Sequence, residues 1–134
     1  MEIALIIIHN HKFTKNIEII ERVYQERFSN IFHLVPFYEG AKSNVIPVYE
    51  SSHFFQGYVA QAFRSFFNAK FDHYFFVADD MIVNPIINEK NYSEHLKIKK
   101  GEAFIPRLIP LNKDDNRDNS SSASLRPLAA GSPE

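Results

Sequence analysis

The chain alternates between short runs that are apolar at every position and longer stretches in which apolar residues recur every three or four positions. The first run, Ile3 to Ile8, contains no polar residue. A strand that is apolar on both faces is one that is covered on both faces, so this run predicts a central strand of a parallel sheet. After His9, Asn10 and His11, the positions Ile17, Ile20, Tyr24 and Phe28 return at helical spacing. They predict a helix capped by Thr14 or Asn16 and ending near Ser29 and Asn30. Ile31 to Tyr38 reads as a strand that frays or ends at Pro36, because proline brings no amide hydrogen to a ladder. Glu39, Gly40 and Ala41 then turn the chain.

The pattern continues with a short strand, Val45 to Tyr49, and a second helix. Ser51 and Ser52 offer caps for that helix, and Phe55, Val59, Ala62, Phe63, Phe66 and Phe67 form its apolar face. Gly57 falls in its first turns, where glycine weakens a helix by about 1 kcal/mol relative to alanine, so close approach of another group is expected there. His73 to Ala78 is a third apolar run, stopping abruptly at Asp79 and Asp80. Ile82 and Val83 continue extended, Pro85 opens a short helix, and Ala103 to Ile109 forms one more strand interrupted by Pro106. The order β-α-β-β-α-β predicts an α/β fold, a mostly parallel sheet with helices on its faces. Ile3 to Ile8 and Tyr74 to Val77 are expected as neighbouring central strands.

Composition narrows the partners. A chain of 134 residues fits one domain and leaves little room for a second. Apolar residues at 45% and charged residues at 23% exclude wholesale disorder and fibrous repeats. All thirteen Phe and six Tyr lie at or before Phe104, and the stretch from Asn112 is rich in Asp, Asn, Ser and Pro. The expected division is a folded domain over 1–111 and a flexible tail over 112–134, with truncation, a fusion scar and an altered reading frame all open as its origin. Fifteen Lys and Arg against sixteen Asp and Glu give a net charge of −1, so nucleic acid is not the expected partner. The absence of cysteine removes disulfides, thiolate nucleophiles and zinc–thiolate sites. No apolar run is long enough for a membrane span, and Glu2 stands where an export signal wants positive charge. The expected compartment is the cytoplasm, at most peripherally at the inner membrane face.

Two polar clusters follow apolar strands, and in open parallel α/β sheets ligands bind beyond the carboxyl ends of strands. One is His9-Asn10-His11 and the other is Asp79-Asp80. Adjacent carboxylates at the end of an apolar strand repel each other and lose hydration unless a cation compensates. Oxygen ligands suit Mg²⁺ or Mn²⁺, which complete their shells with water and phosphate oxygens, so a diphosphate is the natural ligand. The same pair also suits a plain turn leading to Pro85. His9 and His11, two residues apart, read either as a shared metal site or as loop residues facing solvent or a base. Arg64 reads either as a diphosphate contact or as a solvated residue on the polar helix face. Phe63, Phe66, Phe67, Phe75 and Phe76 read as core, and Glu50 and Gln56 as residues that line the cleft.

The stretch from Gly57 to Pro85, GYVAQAFRSFFNAKFDHYFFVADDMIVNP, resembles the centre of GT-A glycosyltransferases, especially the family that includes bacterial rhamnosyl- and galactosyltransferases. The matching residues are Gly57, Ala60, Ala62, Phe71, Asp72, Tyr74, Asp80 and Pro85, and with the opening strand and helix the resemblance runs from Ile3 to about Pro85. It implies a GT-A, Rossmann-like sheet and metal-assisted glycosyl transfer from a nucleotide-diphosphate sugar to a saccharide acceptor. It makes Asp80 the ligand of Mn²⁺ or Mg²⁺ and puts Asp79 at the middle of the acidic motif, with Ala78 where the family often has a sugar- or ribose-contacting Asp. It also places His9, Asn10 and His11 in the loop that holds the nucleotide base and makes Gly57 a matching position, and Arg64 joins them as a nucleotide-side candidate from its place on the second helix. No catalytic base is identified by it, because the family's base and acceptor pocket follow the acidic motif. Only 31 residues run from Met81 to Leu111. The expectation is therefore an incomplete acceptor site, poor transfer, and self-association through an uncovered sheet face near Phe104 and Ile105. The rival readings are a non-catalytic α/β nucleotide-binding or interaction module, and a phosphohydrolase. The latter usually has a nucleophilic Asp after the first strand, where this chain has His9-Asn10-His11.

Overall fold

The structure is a computed structural model that describes residues 1–51 and 53–106 and the backbone of 128–129. Its elements in order are β1 (Ile3–Ile8), α1 (Thr14–Tyr24), β2 (Ile31–Pro36), β3 (Val45–Val48), α2 (Phe55–Phe66), β4 (His73–Ala78), α3 (Tyr92–His95), β5 (Glu102–Ala103) and β6 (Leu128–Ala129). The first four strands form one sheet in the order β3-β2-β1-β4, all parallel, and β5 pairs antiparallel with β6. The expected α/β class and the β-α-β-β-α-β order are both present. Among the described residues, no helix is long and apolar enough to cross a membrane.

β1 is buried along its whole length because both of its faces are covered. Ala4, Ile6 and Ile8 pack with Leu34, Ile46 and Val48 against Tyr58, Ala62 and Phe66 of α2 and against Phe71. Ile3, Leu5 and Ile7 face the other way, onto Tyr24 and Phe28 and onto Val83, Tyr92 and Ile98 from the segment after β4. Two-residue alternation along one strand thus feeds two separate cores.

Several boundaries differ from expectation. α1 ends at Tyr24 rather than near Ser29. Beyond it the Arg27 amide bonds the Tyr24 carbonyl at 2.8 Å, a tightened turn, while the Arg27 guanidinium donates to the Val83, Asn84 and Ile87 carbonyls. Neither long helix has a side-chain cap, and the residues preceding them are Phe13 and Phe54. Ser51 is spent on the preceding turn, its carbonyl accepting the Phe54 amide at 2.9 Å and its hydroxyl the His53 amide at 3.3 Å. Ser52 lies outside the described residues. β2 ends at Pro36, as its sequence anticipates.

β4 lies beside β1 but not in the middle of a sheet: among the described residues it is an edge strand, and Phe76 is 39% exposed. The expectation of two central strands is corrected here, since an apolar run reports what a strand packs against and not what it pairs with. The aromatic set divides in the same way. Phe66 is buried, whereas Phe63 and Phe67 stack at 4.8 Å on the surface. Pro85 opens no helix; the chain from Met81 to Ile87 is held against α1, and α3 begins only at Tyr92. The expected Ala103 to Ile109 strand is reduced to Glu102–Ala103 within the described residues, and Phe104 and Ile105 are exposed. The expected tail over 112–134 lies outside the described residues apart from Leu128–Ala129.

Candidate functional site

Strand order sets where a ligand can enter. From β1 the chain steps to β2 and β3 on one side, then crosses back to place β4 on the other, so the order reverses between β1 and β4. Crossover connections leave a crevice at that reversal, beyond the carboxyl ends of the two strands. The Asp79 amide ties the two ends together by bonding the Ile8 carbonyl at 3.0 Å, and on the other side of β1 the His9 amide bonds the Leu34 carbonyl of β2 at 2.9 Å. His9 and Asp79, taken from the sequence as separate candidates, therefore meet.

The backbone bond to Leu34 keeps His9 in the alternation of β1, so its ring falls on the same face as Leu5 and Ile7, toward α1. It is fully buried, as is His33 of β2, and the His9 Nε2 and His33 Nδ1 atoms are 2.9 Å apart. Asp79 Oδ2 stands 3.6 Å from His9 Nδ1, and Glu21 Oε1 of α1 stands 3.5 Å from His33 Nε2. Glu21 also pairs with Lys42 and accepts a 2.6 Å hydrogen bond from the Asn44 amide. The result is a continuous polar line, Asp79, His9, His33, Glu21, running from the mouth of the sheet to the flank of α1.

The line is electrostatically tense. Burial lowers the His9 pKa from the ordinary imidazole value, with the Asp79 carboxylate opposing the shift. Burial and then the charge on His9 bring His33 down to about 4, with Glu21 opposing. Burial pushes the Glu21 carboxyl up, but its hydrogen bonds to Asn44 and Lys42 and the neighbouring Lys42 and His33 charges outweigh that and lower it. On the opposite side of Asp79, Tyr58 of α2 has its hydroxyl pKa raised by burial and by the Asp79 and Glu50 carboxylates.

The remaining candidates separate. Asp80 is exposed at the mouth and, among the described residues, has no ion-pair partner. Asn10 and His11 are exposed, and the His11 ring lies 5.5 Å from that of Phe13. A metal shared by His9 and His11 is excluded by this placement, one ring turning into the core and the other out to solvent. Gly57 is a close-approach position: a Cβ there would stand 3.0 Å from Glu50 Cγ. Arg64 is not brought to the mouth. α2 runs antiparallel to the strands, with Tyr58 near Asp79 at the end of β4 and the Phe66 ring 5.6 Å from that of Tyr74 near its start. Seven residues beyond Gly57, Arg64 sits about 10 Å further along the helix axis, toward the opposite edge. Gln56 is exposed, and Glu50 accepts the Ser51 amide at 2.9 Å.

Glu21 and His33 are the residues that motif reading missed. Their signal was the interruption of a pattern. His33 breaks the apolar run of β2, and Glu21 falls at helical spacing within the stripe of Ile17 and Tyr24 on α1 that Phe28 continues beyond it.

Among the described residues, no three His, Asp or Glu side chains gather as a metal site. A cation at Asp80 would therefore need water and ligand oxygens for most of its shell. Comparison with protein-family models, with curated proteins and with solved structures gave no match.

Proposed function

We propose that the chain is a GT-A-like nucleotide-diphosphate-sugar-binding domain, serving metal-assisted glycosyl transfer to a saccharide acceptor. The observation that carries the reading is the acidic pair at the end of β4, beside the end of β1 and at the reversal of strand order, with one carboxylate open to solvent. In this reading Asp80 holds Mn²⁺ or Mg²⁺, and phosphate oxygens fill the positions that the protein leaves free. Such a cation suits the chemistry, because breaking a sugar–phosphate bond builds charge on the departing diphosphate and a Lewis acid stabilises it. Asp79, drawn back toward His9, forms the wall of the site, and Asn10 and His11 are the exposed residues of the loop that would face the base. Gly57 admits the Glu50 side chain to the same rim. His9 and Arg64 take no direct part, the first being buried and the second lying elsewhere on α2.

The test is calorimetric titration of the chain with a panel of nucleoside-diphosphate sugars, with and without Mn²⁺. Binding that needs Mn²⁺ and is reduced at least tenfold by Asp80→Asn is expected. Metal-independent binding, or no binding by the parent chain, would overturn the reading.

A further inference from the structure

The line Asp79–His9–His33–Glu21 offers three hydrogen-bonding positions: between Asp79 and His9 Nδ1, between the two rings, and between His33 Nε2 and Glu21. Two neutral imidazoles bring only two N–H groups. They can be arranged in two sensible ways. With protons on His9 Nδ1 and His33 Nδ1, the Asp79 and inter-ring positions are filled, and the bare His33 Nε2 faces the Glu21 carboxylate. With protons on His9 Nε2 and His33 Nε2, the inter-ring and Glu21 positions are filled, and the bare His9 Nδ1 faces Asp79. Each arrangement leaves a buried ring lone pair against an anion. The outer nitrogens, His9 Nδ1 and His33 Nε2, are buried and lack a hydrogen bond, each standing 3.5–3.6 Å from its carboxylate.

A third proton fills every position. One imidazolium, shared across the inter-ring bond, then donates outward to both carboxylates, which is the arrangement that satisfies all six polar atoms. A fourth proton cannot be accommodated. It would set N–H against N–H across a 2.9 Å gap, next to a second buried positive charge. We infer that His9 and His33 form a single proton-binding site, which takes up one proton below neutral pH, holds it between Asp79 and Glu21, and refuses a second.

Every element around the pair contributes to this count. Glu21 comes from α1, Asp79 follows β4, and Lys42 and Asn44 lie on the far side of Glu21 from the β2–β3 connection. Tyr58 and Glu50 stand beyond Asp79, and the strand neighbours of His33 are the apolar Ile7 and Val45. Exposure falls from 11% at Asp79 and 21% at Glu21 to zero at both rings, so the proton exchanges with solvent through the two carboxylate ends. The depressed His33 value agrees with a refused second proton. The inference holds whether or not the mouth binds a nucleotide.

Nitrogen-15 NMR of the histidine rings in the full chain tests it, with exposed His11 as the reference in the same spectrum. On acidification from pH 8 the His9 and His33 rings should shift together in one step that totals one proton. Glu21→Gln should move that step to lower pH by about one unit at both rings, although Glu21 touches only His33. If that variant does not fold, the parent chain still decides through its inter-ring proton, which should exchange slowly and be coupled to nitrogens of both rings. Two rings that titrate independently with one proton each, or two that stay neutral until the chain unfolds, would overturn the inference.

Discussion

β1 and β4 run side by side in the same direction, in register from Ile3 opposite His73 to Ile8 opposite Ala78. Both are apolar enough to pass for central strands, yet β1 is buried at all six positions and β4 at one. β1 has a strand on each side and a helix layer on each face. β4 has β1 on one side only: Tyr74 and Phe76 pack on Phe66 of α2 and Phe75 packs on Phe28, and each ring stays partly exposed. Their ends differ as well. The residue after β1, His9, is drawn fully inward by β2, whereas the residue after β4, Asp79, stays half-buried on its bond to Ile8 and the next, Asp80, is left in water. Pairing therefore decides how much of a strand's apolar character turns into stability, and it also decides which polar ends become internal.

Ile6 and Phe76 are partners in the ladder, at 0% and 39% exposure. Ile6→Ala should destabilise by about 2–5 kcal/mol, because it opens a cavity between two packed layers. Phe76→Ala removes a larger side chain but should cost less, about 1–2 kcal/mol, because 39% of the residue is already exposed. Urea unfolding of both variants checks the ratio. A larger loss at Phe76 would mean that the outer side of β4 is covered by something, and the contrast between the strands would fail.

The next effect comes from the buried end of β1. Burial and the charge on His9 hold His33 down to about 4 in the fold, against an ordinary 6.5 when unfolded, so below pH 6.5 the unfolded chain binds more protons than the folded pair. Stability should accordingly fall as pH drops below 6.5, by on the order of 3 kcal/mol at pH 4 from the proton that the folded pair refuses and the unfolded chain binds. His9, also depressed, acts in the same direction. The lowered Glu21 pKa adds a further loss once pH falls below the ordinary carboxyl range. Replacing both rings by non-titrating amides, His9→Gln with His33→Gln, should flatten the slope between pH 6.5 and 4 in urea melts. An unchanged slope would place the acid sensitivity elsewhere.

Much of this was readable in the sequence, and what was not has physical causes. The run Ile3 to Ile8 and the 3–4 spacing in α1 and α2 identify element type directly, since they reflect one-body burial. Pro36 marks the end of β2 because a missing amide hydrogen is a property of the residue itself. Whether Tyr74 to Val77 lies at an edge depends on a strand contributed from elsewhere, which no local pattern encodes. The caps failed for a similar reason: Ser51 had a competing turn to close. At the site, His9 and Asp79 were both visible as strand-end residues, but their meeting, and the recruitment of His33 and Glu21, needed the β2-β1-β4 order.

A smaller effect should follow from untying the segment after β4. The Tyr24 hydroxyl accepts the buried Val83 amide at 3.0 Å and donates to the Met81 carbonyl at 3.3 Å, joining the continuation of β4 to the helix beneath β1. Tyr24→Phe keeps the ring and leaves the Val83 amide without its acceptor, so a loss of about 1–2 kcal/mol is expected. Hydrogen exchange gives the local readout. The Val83 amide should exchange at least tenfold faster while the amides of β1 stay protected. Equal loosening of β1 would show that the segment supports the whole core and not only the continuation of β4.

The smallest effect on stability belongs at the exposed end of β4. Asp80 is solvated and makes no ion pair among the described residues, so Asp80→Asn gives up little that the fold uses. Surface changes of this kind stay within about 0.5 kcal/mol. The substitution also removes one of two adjacent negative charges, and relief of that repulsion offsets part of any loss. The thermal midpoint of Asp80→Asn should match that of the parent within about 2 °C in metal-free buffer. In Mn²⁺ the two should separate, the parent rising with metal concentration by mass action and the variant not following. A variant that loses several degrees without metal would show that Asp80 is a structural turn residue, and that the fold depends on the end of β4 as much as it does on His9 at the end of β1.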